Sequence, residues 1–173
     1  MSGVRVATPD DARAIAGIHV GAWQAAYRGI FPDDFLASLS VEKRVKAWEG
    51  MLSGPRPGER TWVAERDGAV AGWIQVVDGP GTDVELQALY VAPSHWRGGI
   101  GRALWEVAVA SVQAAGARTA WLWVLAGNTP AIAFYEAAGF VAVPGAAEPM
   151  ARGGALAWKV RYVHPGPLQP AVA

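Results

Sequence analysis

A mixed α/β domain built on a single sheet is predicted by three features of this chain. Strand-like and helix-like segments interleave along it, its 173 residues suit one core, and no internal repeat or long linker divides it. A domain of this length buries roughly 70% of the surface its unfolded chain exposes. Hydrophobic residues make up 52% of the chain and charged residues 17%, an apolar excess that excludes disorder.

Residues 4–7 read as an opening strand. Thr8-Pro9-Asp10-Asp11 then supplies a cap, a proline at the first helical position and an acid three residues after the cap. The helix begun there carries Ile15, Ile18 and Trp23 and runs until Gly29. A second helical stretch, with a break, covers 32–52 and is followed by a Gly/Pro loop at 54–58. Strands at 61–65 and 69–77 flank Asp67-Gly68, the pair that tight hairpin turns favour. A loop at 79–81 precedes a strand at 84–91, and 93–99 leads into a helix marked by Ile100, Leu104, Ala108 and Val112 and stopped by Gly116. A strand at 119–125, a helix at 129–138 and strands at 140–143 and 156–162 complete the order. The sum is a mixed sheet of six to seven strands flanked by about four helices. It forms one domain over 1–163, with a Pro-containing tail at 164–173 expected to be flexible.

Composition removes several classes of function. Fifteen basic and fifteen acidic residues cancel, so no broad positive field favours nucleic acid. There is no Cys, which excludes disulfides, thiolate metal sites and a cysteine nucleophile. His19, His95 and His164 stand far apart without ligand spacing, and no metal is implied. No apolar run has the length of a membrane span or the form of a signal peptide, so a cytoplasmic protein is expected.

The stretch from Val91 to Leu104 takes a strand through a glycine-rich turn into a helix. Glycines allow close backbone approach, and the amides and dipole of a helix start attract phosphate. A P-loop would need Lys and then Ser or Thr after the last glycine, where Arg102-Ala103 stand. A dinucleotide fingerprint would need Gly or Ala at Leu104.

These residues resemble the signature of the GNAT superfamily of N-acetyltransferases: Gln or Arg, two variable residues, Gly, one variable residue, then Gly or Ala. It falls on Trp96, Arg97, Gly98, Gly99, Ile100 and Gly101, with Trp96 where the family has Gln or Arg. A second block, from Asn128 through Ala131, Phe134 and Tyr135 to Gly139-Phe140, is similar to the family's Asn, Ala, Phe-Tyr, Gly-Phe run.

The resemblance implies the GNAT fold and direct transfer of an acetyl group from acetyl-CoA to a primary amine. Backbone at Leu89, Tyr90 and Val91 would pair with the pantetheine arm. The turn from Trp96 to Arg102 would hold the pyrophosphate, and Asn128, Ala131 and Tyr135 would complete the cofactor contacts. Glu85 is the implied general base, though position alone also permits a charge on a solvated strand face. Strand alternation puts Glu85 on one face with Gln87, Leu89 and Val91. Tyr135 is the implied acid for the leaving thiolate and also sits at helix-core spacing. Trp23, Tyr27 and Phe31, four residues apart, are the expected acceptor wall or else part of a core stripe. A small-molecule amine is favoured. A protein amino group and a non-catalytic acyl-CoA-binding module are the alternatives, and a homodimer is compatible with all three.

Overall fold

Asp67 and Gly68 adopt φ angles of 54° and 80°, the left-handed pair that matches a hairpin turn to the twist of its strands. Around this hairpin the computed structural model, which describes residues 3–168, orders its elements along the chain. They are β1 (Gly3–Val6), α1 (Ala12–Ala26), α2 (Asp33–Ala37), α3 (Val41–Ser53), β2 (Glu59–Arg66), β3 (Ala69–Asp78) and β4 (Asp83–Val91). Then follow α4 (Ile100–Ala114), β5 (Thr119–Leu125), α5 (Thr129–Ala137), β6 (Val141–Arg152) and β7 (Ala155–Val163). The expected mixed α/β sheet is present, with seven strands. It has five helices where about four were expected, because the stretch at 32–52 breaks fully: Ser40 caps α3, its Oγ accepting from the Lys43 amide at 3.3 Å.

The strands are arranged β1-β2-β3-β4-β5-β7-β6. All neighbours are antiparallel except β4 and β5. Helices α4 and α5 cover one face of the sheet, where Ile74, Leu86, Leu104, Trp105, Leu122 and Phe140 form the main core. Helices α1 and α3 cover the other, with Ile15, Trp48, Val63 and Trp73 between them and the strands.

The parallel pair is short. Asp83, Val84 and Glu85 face Thr119, Ala120 and Trp121, and pairing then stops. Strand β4 continues along β3 as far as Val91, while β5 continues along β7 as far as Leu125. The two strands therefore part beyond Glu85, and a bond from Thr119 Oγ1 to Asp83 Oδ1 at 2.6 Å ties their joined end.

A bulge changes the faces of β4. Leu86 faces Val76 and Ala88 faces Gln75, so Gln87 is an extra residue. Val84, Leu86, Leu89 and Val91 all belong to the α4 side, and Ala88 and Tyr90 to the α1 side. Simple alternation thus misplaces Glu85. It shares a face with Ala88 and Tyr90, not with Leu89 and Val91.

Two further expectations are corrected at the end of the chain. Strand β6 runs to Arg152 rather than stopping at 143, despite Pro144 and Pro149. It is the sheet edge, where a missing backbone donor costs no ladder bond. The tail packs as far as Leu168, which is 1% exposed in the main core. The His164 amide donates to Ala120 O at 2.8 Å, and Gln113 bonds the Leu168 carbonyl. Residues 169–173 lie outside the described ones.

Asp11 anchors the start of α1 to β1. It is buried and accepts from Arg5 at both carboxylate oxygens, at 2.7 and 2.8 Å, and from the Thr8 amide at 2.7 Å. The Arg5 guanidinium holds its carboxyl below the ordinary range, against the opposing effect of burial. The stabilisation is present above the unfolded carboxylate pKa of about 3.9 and disappears as pH falls through the lower folded value. Asp11→Asn should cost about 1–2 kcal/mol at pH 7, and thermal melts should show its difference from wild type shrinking below about pH 4.

Candidate active site

After β4 the chain makes a short 3-10 turn at Pro93–His95. Arg97 at φ 60° and Gly99 at φ 80° then deliver it into α4. Gly99 caps that helix in the left-handed region, and a Cβ built on it would meet nothing within 4 Å. The space over the turn is open, and the first amides of α4 lack helical acceptors. Free amides at a helix start are the chemistry that attracts an anion.

Side chains around the turn take separate roles. The Trp96 indole, 46% exposed, donates to Val91 O at 2.8 Å and ties the turn back to β4. Arg97 is exposed, whereas Arg102 pairs with Glu106 at 2.8 Å, which neutralises part of the charge expected there. Ile100 is buried, so only its amide is available. Arg66 was missed by the sequence reading. From the end of β2 its Nη1 donates to Gly98 O at 3.1 Å, and no local motif links residues so far apart in the chain.

Beside the parting of β4 and β5 lies Glu85, half-buried on the helix α1 side of the sheet. Loss of hydration raises its carboxyl above the ordinary range, partly opposed by Lys159 and Arg161. Those two cations stand over the Trp123 and Trp121 rings at 4.9 and 4.6 Å. Tyr135 is buried in α5, and burial, reinforced by Tyr90, drives its phenol upward, so it stays protonated at neutral pH. Asn128 caps α5, its Oδ1 accepting from the Ala131 amide at 3.3 Å. Both therefore shape the helix that carries Tyr135.

The α1 side of β4 borders a cavity of about 570 Å³ whose walls include His19, Trp23, Arg44, Gln87, Ala88 and Tyr90. Trp23 Nε1 donates to Tyr90 Oη at 2.9 Å. Tyr27 and Phe31 do not line this cavity. They are buried at 8% and 3% exposure, in a ring cluster with Trp23. The four-residue spacing fails because α1 ends at Ala26 and the chain turns back at Gly29, whose φ is 77°. His19 stacks on Tyr90 at 4.8 Å, and burial lowers its pKa to about 3, so its ring is neutral. Among the described residues no group of three or more His, Cys, Asp or Glu side chains could hold a metal, and no helix is long and apolar enough to cross a membrane.

Residues 22–140, which span the glycine turn, the parted strands and α5, match the acetyltransferase (GNAT) family. The chain belongs to this family. Among GNAT relatives it is 33% identical over 141 residues to the uncharacterized N-acetyltransferase YuaI of Bacillus subtilis, covering 78% of this chain and 77% of that protein. It is 34% identical over 113 residues to the ribosomal protein bS18-alanine N-acetyltransferase of Escherichia coli, covering 62% and 74%. Its fold resembles that of YncA from Salmonella typhimurium, solved with its cofactor acetyl-CoA, with a TM-score of 0.71 at 22% identity over 100% of this chain and 97% of that one.

Gly99→Val tests this turn as an anion site. A β-branched residue resists φ 80° at a cost of about 1–3 kcal/mol, although the space itself is open. The turn should reshape, and acetyl-CoA affinity measured by calorimetry should drop at least ~10-fold while the far-UV spectrum keeps its form.

Proposed function

We propose that this protein transfers an acetyl group from acetyl-CoA to a primary amine of a small molecule, by direct attack in a ternary complex. The carrying observation is the parting of β4 from β5 immediately beyond Glu85, on a strand that ends in a glycine turn with free helix-start amides. A pyrophosphate would lie on the amides of residues 99–102, with Arg66 and Arg97 adding charge. The pantetheine arm would pair along Leu89, Tyr90 and Val91, whose β5 side has no strand partner.

The acceptor arrives mostly as an ammonium and must lose a proton before it attacks. Glu85, its affinity for protons raised by burial, takes that proton directly or through water. The nitrogen adds to the thioester carbonyl, a backbone amide near Tyr90 stabilises the tetrahedral oxyanion, and its collapse breaks the C–S bond. Tyr135 gives its proton to the departing thiolate and recovers one from the new amide nitrogen, directly or through water. With no Cys in the chain, direct transfer is favoured over a cysteine-bound intermediate. A non-catalytic acyl-CoA-binding module would have no use for both Glu85 and Tyr135. The likeness to the bS18-alanine enzyme favours a second reading, in which the amine belongs to a protein.

Two outcomes check this reading. Acetyl-CoA at a hundred times its dissociation constant should stabilise the fold by about 2.7 kcal/mol, visible as a raised melting temperature that ATP and NAD do not produce. Glu85→Gln should lower the neutral-pH rate by roughly 10² to 10⁴. Because the base works only when ionised, wild-type rate should fall as pH drops through the raised Glu85 pKa, and the variant's deficit should shrink at high pH, where the amine arrives neutral. An unchanged rate in Glu85→Gln at pH 7 removes Glu85 from the mechanism.

A further inference from the structure

The acceptor side of the cleft carries charge that acyl transfer itself does not need. The walls of the 570 Å³ cavity include Arg44 and Arg152 and, among the described residues, no aspartate or glutamate. Arg44 is half-buried on α3 and makes no ion pair among the described residues. Its Nη1 donates to His19 Nδ1 at 3.3 Å, and its guanidinium carbon lies 5.7 Å from the centre of the Trp23 ring. Neither neighbour neutralises it. The His19 ring is uncharged and the indole offers only its π face.

A partly desolvated cation without a counter-ion is costly. That cost vanishes when the ligand brings its own anion. A purely cationic amine meets the opposite situation, since the wall repels it and no carboxylate there receives it. Between these polar groups the cavity presents the rings of Trp23, Trp48 and Phe35, which suit an apolar body.

We propose that the acceptor is of amino-acid type: an amine that carries a carboxylate on an apolar body, with the carboxylate bound by Arg44. This rests on the acetyltransferase reading above and narrows its substrate class. Arg44 is a specificity residue. It fixes the acceptor by a charge-assisted bond while Glu85, further along the same face of β4, handles the proton. The carboxylate also draws the acceptor into a site whose other charged wall residue, Arg152, has the same sign.

The test compares acceptors in pairs by CoA release: phenylalanine against phenethylamine, and 6-aminohexanoate against hexylamine, with spermidine and an alanine-initiated peptide amide as cationic acceptors. The carboxylate-bearing member of at least one pair should have the higher kcat/KM, by roughly 10- to 100-fold, and should exceed both cationic acceptors. Arg44→Gln should collapse that ratio toward one, mainly through KM, and Arg44→Lys should restore part of it. A retained melting shift with acetyl-CoA certifies that each variant is folded. Equal or faster turnover of the carboxylate-free amine in both pairs, or of spermidine or the peptide, overturns the carboxylate assignment and leaves the acetyltransferase reading intact. A ratio unchanged in folded Arg44→Gln overturns the role of Arg44. No CoA release with any amine, although acetyl-CoA binds, overturns this inference together with the proposed function.

Discussion

The site depends on a sheet that stops pairing in its middle. A parallel ladder of three residues, Asp83 to Glu85 against Thr119 to Trp121, holds β4 and β5 together at one end. Each strand then follows a different antiparallel partner. Unpaired backbone groups inside a sheet are expensive unless something satisfies them, and here they border the gap between β4 and β5, at whose far end Tyr90 and Leu125 join one ring cluster. The helices on both faces keep that gap from closing. Helix α4 is packed on β3 and β4 through Ile100 and Leu104, and the α1 side is filled by Trp48 and Trp73. The cost of leaving the ladder unfinished is met by two separate hydrophobic cores, one on each side of the opening.

Charge is distributed unevenly around this opening. Cations gather near the glycine turn, through Arg66 and Arg97, and again on β7, where Lys159 and Arg161 lie over tryptophan rings. The carboxylate of Glu85 faces the second group from half-buried surroundings. Its protonation reflects two opposed effects, loss of hydration and nearby positive charge, of which the first is larger. A carboxylate held between such effects is a better base than one on an open surface and still ionises in water.

Much of the fold was legible where chemistry is local. Asp67-Gly68 announced the hairpin because few other pairs accept two left-handed residues in succession. The strand at 119–125 and the glycine turn were read at their true places for similar reasons. What escaped depends on contacts between distant segments. Nothing in the apolar pattern of 84–91 reveals that Gln87 bulges, because a bulge is a property of two strands, yet it decides which side of the sheet Glu85 occupies. Tyr27 and Phe31 kept helical spacing in the sequence after the helix had ended, so their burial could not be told from a pocket wall. Strand β6 was cut short by its prolines, which only an edge position tolerates. Arg66 and Arg44 carried no motif at all, and their placement emerged only with the packing of β2 and α3.

The tryptophans are placed unevenly with respect to the two halves of the cleft. Trp23, Trp48 and Trp73 surround the acceptor cavity, while Trp96 stands half in solvent at the glycine turn, tied to Val91. Indole emission responds to the polarity of its immediate surroundings, and these two groups differ in hydration. The two regions thus carry optical probes of different hydration, Trp96 at the glycine turn and Trp23, Trp48 and Trp73 at the cavity, among nine tryptophans of which Trp158 is also half exposed. Single Trp-to-Phe replacements would separate their signals, so that the order in which the two substrates enter becomes readable from the protein's own light, without any added dye.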